Sequence, residues 1–414
     1  MKEIVFALIV ILTIACSGTG DAQKAQRWQV GTPITTYFAG PPITDATAKQ
    51  MADGGFNLIW CDTLAEMNIA QKYGMRVLLH NDLLSEQTMD DPAKIAQLDA
   101  FIAQAKNKSC LYGYFITDEP NASRFVGLGK LVAHLRVLDP AHMAYINLFP
   151  TYASNEQLGT KGDIATAYKE YLHQYIETVK PDLLSYDHYH FNVNGDGDEY
   201  FLNLGLIRQA ALDAGIPFLN IVQASRWAPD IRVPNGNEMR WLNYTSLAYG
   251  AQGLSYFVYY YKPFYDTFKP NAGQMMLPDG TPTPLYEAAK KLNPQFVALA
   301  SQLQSLRSLG AYHVGKKYLG TQELPQNAPF HLDFTGDNQM PTEGMLLGYF
   351  GKSDKPTQVL VVNLDYHNAV TTTVVGPEKL AEFDVAKGTW KKVGSPQVTL
   401  TIPPGSGILV RVPK

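Results

Sequence analysis

The sequence predicts an α/β protein: a (β/α)8 barrel followed by a C-terminal antiparallel β-sandwich. Three observations lead there. Between residues 28 and 309, eight apolar strand-like runs alternate with amphipathic helix-like stretches. After residue 309 the texture changes to short alternating runs broken by Gly, Pro and Asp. The length, 414 residues, suits one large barrel plus a small β domain, since barrels run to about 250 residues.

The strand candidates are residues 30–38, 56–60, 75–80, 111–117, 143–148, 183–187, 217–223 and 254–260. The helical periodicity that follows each one covers residues 44–53, 64–73, 92–107, 123–138, 164–179, 200–214, 237–249 and 284–309. Asp91-Pro92 reads as an N-cap before a first-turn proline, and Gly74 and Gly215 stand where helices end. Continuous apolar strands alternating with helices imply a parallel sheet covered by helices, and eight such units imply closure. An open doubly wound sheet has less support, because no G-x-G-x-x-G follows the first strand. The second domain, 310–414, carries the runs QVLVVNLD, AVTTTVV, EFDVA, TWKKV, VTLTI and GILVRV, the pattern of a small sandwich.

The first fifteen residues have a Lys and an apolar run from Ile4 to Ile14, too short to span a bilayer. They read as a signal peptide. Ala15-Cys16 resembles a bacterial lipoprotein processing site, although Leu12 lies four residues before the cysteine rather than three. Cys16 is the expected lipidation site, and residues 16–27 the tether. An exported protein, lipid-anchored in the outer membrane or periplasm, is expected. Cys61 and Cys110 are expected as free thiols, because they fall at opposite ends of predicted strands.

The net charge is −4, with 34 basic and 38 acidic residues. No basic excess exists to neutralise a phosphate backbone, which argues against nucleic acid. Aromatic residues reach 11%, enough for a large core or for sugar-stacking surfaces.

Active sites of such barrels lie at the C-terminal ends of the strands. Those ends offer Tyr37, Asp62, His80-Asn81-Asp82, Asp118-Glu119, Asn147, Asp187-His188-Tyr189-His190, Gln223 with Arg226 and Trp227, and Tyr259 to Tyr261. Tyr37, Asp62, His80, Asn81, Asn147, His188, Tyr189, Gln223, Trp227 and Tyr259 are therefore the expected substrate-binding groups. Aromatic faces and polar groups at one mouth suit a polyhydroxylated ligand. The segment LYGYFITDEP ends an apolar strand in two carboxylates without a basic neighbour. Adjacent carboxylates beside apolar walls raise each other's pKa. Strand alternation puts Gly113, Phe115, Thr117 and Glu119 on one inward face and Asp118 on the other. Glu119 is thus the expected general acid.

GYFITDEP resembles the fourth strand of clan A glycoside hydrolases, which ends in the acid/base carboxylate. LAYGAQGLSYFVYYYKP and TPTPLYEAAKKLNPQFVAL are similar to the seventh helix, eighth strand and last helix of family 42-type β-galactosidases and related bacterial glycosidases. IPPGSGILVRV is similar to the last strands of their β-sandwich. The resemblance implies hydrolysis of a glycosidic bond, with Glu119 as acid/base. A carbohydrate substrate, no cofactor and a monomeric chain are expected.

The chain departs from that pattern at strand seven, where FLNIVQASRW has Gln223 in place of the nucleophilic Glu. Asp187, in LLSYDHYHF, is the expected second carboxylate, separated from Glu119 by the longer distance of an inverting pair. Glu238 reads as a helix N-terminal carboxylate. A third reading has Asp118 orienting a substrate N-acetyl group, as the Asp-Glu pair of family 20-type hexosaminidases does. A glycan-binding or lapsed enzyme on the same scaffold is the competing class. Zinc on His188 and His190 is disfavoured, since alternation turns them from Asp187 and no distant third ligand is evident. Calcium on Asn192, Asn194 and Asp196 lacks the closing Glu.

The localisation reading has a direct test. Wild-type protein should partition with membranes, and Cys16→Ser should become soluble or misprocessed. Equal membrane association of the two, measured by fractionation, removes the anchor.

Overall fold

The computed structural model describes residues 28–334 and 339–413. The expected signal peptide, Cys16 and the expected tether lie outside the described residues. Among those residues, no helix is long and apolar enough to cross a membrane.

Eight parallel strands form the barrel: β1 (Ile34–Phe38), β2 (Leu58–Cys61), β3 (Arg76–Leu79), β4 (Leu111–Asp118), β5 (Met143–Leu148), β6 (Leu184–His188), β7 (Phe218–Gln223) and β8 (Gly253–Phe257). Hydrogen bonding runs in the order β1-β8-β7-β6-β5-β4-β3-β2. The β1–β2 seam is closed by Asn57. Its backbone N–H donates to Thr35 O at 3.0 Å. Its side-chain Oδ1 accepts from Thr35 N at 3.1 Å, and its Nδ2 donates to Pro33 O at 2.9 Å. One short amide thus does the work of a ladder that β1 and β2 do not form.

The helices begin where local chemistry starts them. Thr44 caps α1 (Asp45–Asp53), Thr63 caps α2 (Leu64–Lys72), and Asp91 caps α3 (Pro92–Ala105) with Pro in its first turn. The others are α4 (Phe125–Leu138), the single turn α5 (Asn155–Leu158), α6 (Ile164–Val179), α7 (Tyr200–Ala214), α8 (Gly236–Tyr249), α9 (Lys262–Phe268) and α10 (Pro284–Leu303). Gly215 ends α7 at φ +65°, a conformation that favours glycine. The expected helix 284–309 is shorter. Residues from Arg307 onward pair antiparallel with Met345–Gly351, so tertiary pairing overrides the helical pattern there.

The barrel interior is layered. Ile34, Leu58, Leu78, Tyr112, Met143 and Leu219 fill its lower part. Above them Phe38, Trp60, Phe115, Tyr145 and Phe257 form an aromatic floor. Trp60 and Phe115 centroids lie 4.4 Å apart, and Phe38 and Trp60 5.0 Å apart. Each such pair adds about 0.5–1.5 kcal/mol to the stabilisation from burial.

The C-terminal part is a sandwich of two sheets, of seven and three strands, antiparallel except for the short edge strand Gln322–Glu323, which pairs parallel. Its central strands are β9 (Arg307–Val314), β10 (Met345–Gly351), β11 (Gln358–Asn363) and β12 (Gly407–Arg411) in the larger sheet. β10 is buried along its whole length because both its faces are covered. Met345, Leu347 and Tyr349 face the smaller sheet, while Leu346 and Phe350 join the barrel core. Helix α8 lies on this second face. A Cβ on Gly348 would fall 2.3 Å from Ala248 O, and one on Gly407 2.8 Å from Tyr244. Glycine is what lets the helix approach the sheet. Cys61 and Cys110 are both buried and free.

Gly348→Ala should therefore force α8 off the sheet. The expected cost is about 1–3 kcal/mol of overpacking, read as a lower denaturation midpoint in urea. An unchanged midpoint would mean that α8 does not bear on β10.

Candidate active site

Three carboxyls meet at the top of the barrel: Asp118 and Glu119 from β4 and its end, and Asp187 from β6. Asn147, on β5 between them, holds the group together. Its Nδ2 donates to Asp118 Oδ1 at 2.9 Å and to Asp187 Oδ1 at 2.8 Å. Its Oδ1 accepts from Ser185 Oγ at 3.0 Å, and Ser185 Oγ lies 2.7 Å from Tyr145 Oη. The Ser185 contact fixes which way the amide points, so both carboxylates face its N–H groups.

The alternation expected for β4 does not hold. A bulge between Phe115 and Thr117 shifts the register against β5. Thr117 then pairs with Ile146, which belongs to the outer core, and Asp118 pairs with Asn147. Asp118 therefore points inward, and Thr117 leaves the inward face. Glu119 would be expected to turn away, but its φ is +42°, and its N–H donates to Asn147 O at 2.9 Å. This left-handed turn brings its side chain back beside Asp118. A non-glycine residue in that region is held by its surroundings.

The electrostatics follow from crowding. Burial, and then the charge of Asp118, push the Glu119 carboxyl up to about 7. Glu119 and Asp187 are hydrogen-bonded through their carboxyls. Asp187 is 3% exposed, and burial followed by the charges of Glu119 and Asp118 holds it well above the usual carboxylate range. Asp118 opens to the mouth but is flanked by protein, and burial raises it as well, opposed by its bond from Asn147. Such a group titrates as a unit and keeps a proton near neutral pH. The contact between Glu119 and Asp187 also corrects the expected inverting separation, which requires room for a water between the two.

A cavity of about 300 Å³ stands over these groups. Its walls include Phe38, Phe149, Tyr152, Tyr189, Trp227 and Phe257. Of the substrate-binding groups expected from the sequence, Asn147, Tyr189 and Trp227 line it. Phe38, Phe149, Tyr152, Gln157 and Phe257 were not expected there. Phe38 sits one residue from Tyr37, a miss in parity, whereas Tyr259 shares the parity of Phe257 but lies two residues past the end of β8.

The other expected groups lie elsewhere. Tyr37 points outward, with its hydroxyl 3.1 Å from Met51 Sδ, because it alternates with the inward Phe38. Tyr259 lies past the end of β8, packs on Tyr37 at 4.8 Å, and donates to Gln50 Oε1. Asp62 bonds His80 Nδ1 at 3.0 Å on the exposed rim, while Asn81 caps Leu83 N. Those three do not line the cavity. His188 faces a neighbouring cavity. Gln223 is fully buried. Its Oε1 accepts from Phe191 N at 2.8 Å, and its Nε2 donates to Phe191 O and Arg232 O at 3.0 and 2.6 Å.

Glu238 closes a capping box at the start of α8 and pairs with Arg232 at 2.7 Å, as a helix N-terminal carboxylate should. Asp196 pairs with the same Arg232 at 3.0 Å and accepts a bond from Tyr366 Oη. It thus anchors the Phe191–Asn192/Gly195–Asp196 hairpin to the sandwich. Among the described residues, no group of three or more His, Cys, Asp and Glu is arranged to hold a metal.

No family model matches the chain, and no curated protein sequence matches it. Solved structures do. A glycoside hydrolase is similar over 89% of this chain and 88% of its own, at 12% identity and a TM-score of 0.50. A glucosidase from Croceicoccus marinus covers 92% of this chain and 96% of its own, at 10% identity and a TM-score of 0.46. A β-galactosidase from the psychrophilic Marinomonas ef1 covers 62% and 58%, at 11% identity and a TM-score of 0.43. At these identities the likeness establishes the fold: a (β/α)8 barrel with an attached β-sandwich, an architecture shared with glycoside hydrolases.

Proposed function

We propose that the protein is a glycoside hydrolase, exported and lipid-anchored through Cys16, with Glu119 as its general acid. One observation carries this reading. A carboxyl raised to about 7 sits among two further carboxyls beneath an aromatic-walled cavity. The aromatic walls give a sugar's C–H faces something to pack on, and the carboxyls and Asn147 meet its hydroxyls.

The chemistry follows from the protonation states. Below about pH 7 Glu119 carries a proton, which it gives to the glycosidic oxygen as the bond to the anomeric carbon breaks. Asp187, whose buried carboxyl stays protonated, donates to Glu119 and so favours the carboxylate that Glu119 becomes once its own proton is given up. Asp118, held by Asn147, is the carboxylate left to face the positive charge that develops on the sugar ring. Water then adds to the anomeric carbon and gives its proton to the Glu119 carboxylate, which restores the acid.

A second reading is favoured by the Glu119–Asp187 contact. With those two paired, and with Gln223 bound to backbone, no protein carboxylate faces Glu119 across a sugar-sized gap among the described lining residues. A 2-acetamido sugar would supply its own nucleophile, and Asp118 would orient that amide.

Four outcomes test these assignments. Purified protein should turn over members of a glycan and aryl-glycoside panel; binding without turnover would favour a lapsed enzyme. Glu119→Gln should lower kcat by about 10²–10⁴-fold on substrates with poor leaving groups and by less on aryl glycosides with good ones. Near-wild-type turnover of a natural glycan by Glu119→Gln rejects the acid role. Because the acid must be protonated, wild-type kcat should fall as pH rises through about 7, by about tenfold per unit above it. A basic limb set near pH 5 would contradict the raised carboxyl. Asp118→Asn should depress every substrate if Asp118 faces the ring charge, and only 2-acetamido sugars if it orients the substrate amide.

A further inference from the structure

A second cavity, of about 280 Å³, lies next to the first. Tyr152, Tyr189 and Trp227 line both, and so form the wall between them. Tyr189 and Trp227 pack edge to face at 5.4 Å, which keeps that wall in place. Across from it stand His188, Asn192, Asp198, Glu199 and Asp230.

The protonation of His188 can be worked out from its neighbours. Thr151 N–H donates to Asn203 Oδ1 at 2.9 Å, so that oxygen must point where it does. The same oxygen lies 3.0 Å from His188 Nδ1 and cannot donate, so Nδ1 carries the hydrogen. His188 is 1% exposed, and burial lowers its pKa to about 3, which keeps it neutral. Its Nε2 is therefore a lone-pair acceptor with no hydrogen-bond partner among the described residues, on a side chain that lines the cavity. Glu199 Oε2 is a second buried acceptor left unpartnered. Asp198 and Asp230 add two carboxylates, and no Lys or Arg is among the described residues lining the cavity.

A site made of acceptors and aromatic faces, with negative charge and no cation, asks for a ligand rich in donors and free of negative charge. From this juxtaposition we infer that the second cavity is a binding subsite for a non-anionic, hydroxyl-rich sugar residue, adjoining the sugar that is cleaved. The inference rests on the glycosidase reading and extends it. The protein takes an oligosaccharide of at least two residues, His188 Nε2 and Glu199 accept hydroxyls of the added residue, and acidic oligosaccharides are turned away. Together the two cavities reach the size range of small-ligand sites, about 300–1,000 Å³.

Titration calorimetry with the Glu119→Gln protein tests this, because its chemistry is blocked. The probes are glucose, galactose and N-acetylglucosamine, their β-1,4-linked di- and trisaccharides, and a trisaccharide of galacturonic acid. At least one neutral disaccharide should bind tenfold or more tightly than its monosaccharide, and the acidic trisaccharide should show no such gain. Adding His188→Phe should shrink the gain at least fivefold. Adding Glu199→Gln, at a partly exposed position, should shrink it at least threefold. The gain is a ratio within one preparation, so a loss of folded protein cancels from it, and circular dichroism checks the fold of each variant. Equal binding of mono- and disaccharides, or a gain that survives both substitutions, overturns the subsite while leaving hydrolysis of aryl monoglycosides intact. If wild-type protein neither binds nor cleaves any of these sugars, the subsite and the glycosidase reading fall together.

Discussion

One amide organises the site. Asn147 has two N–H donors and one acceptor, and all three are committed to side chains of the site. Its main-chain carbonyl takes the N–H of Glu119 as well. Hydrogen bonds to charged groups are worth about 1.5–3 kcal/mol each, and these are what offset the crowding of three carboxyls in one place. Without that fork, Asp118 and Asp187 would face each other with no donor between them. The left-handed backbone of Glu119 is tied to the same residue, because β5 presents the Asn147 carbonyl to its N–H.

The barrel was legible because its signals are long and redundant. Eight apolar runs with helices between them survive an error of two residues at any boundary. Side-chain direction is less forgiving, since a single added residue reverses it. The bulge at Ile116 left no mark in LYGYFITDEP, so Thr117 was read as inward and Asp118 as outward. Tyr37 and Tyr259 failed in a related way, with neighbouring aromatics offering two candidates for one inward place. Phe38 follows Ile34 and Thr36 in strict alternation, which was the available signal. Asp187 and Asn147 were readable because β5 and β6 carry no irregularity between their starts and the site. The Glu119–Asp187 contact was out of reach, since nothing in the sequence gives the φ of Glu119. The helix expected to reach residue 309 failed because pairing with β10 is a long-range event that local periodicity does not register.

The sandwich has a part in the site although it supplies none of the carboxyls. Tyr366, in the loop after β11, bonds to Asp196, and Asn237 of α8 donates to Tyr366 O at 3.2 Å. Arg232 ties Asp196 to Glu238. These contacts brace the hairpin that follows β6, which helps to wall the second cavity. Helix α8 rests on glycines of the same sheet. The sandwich is therefore a buttress for one rim of the barrel mouth, and its packing sets how far that rim can move.

Gln223 draws the last consequence. Its Nε2 lies between two backbone carbonyl oxygens, at a depth no water reaches. A carboxylate at this position would direct lone pairs at both carbonyls, with no proton to separate them. The position is therefore closed to a carboxylate, and Gln223→Glu would break the rim before it supplied a nucleophile. In this chain the amide is a clasp that holds the hairpin after β6 to the loop after β7.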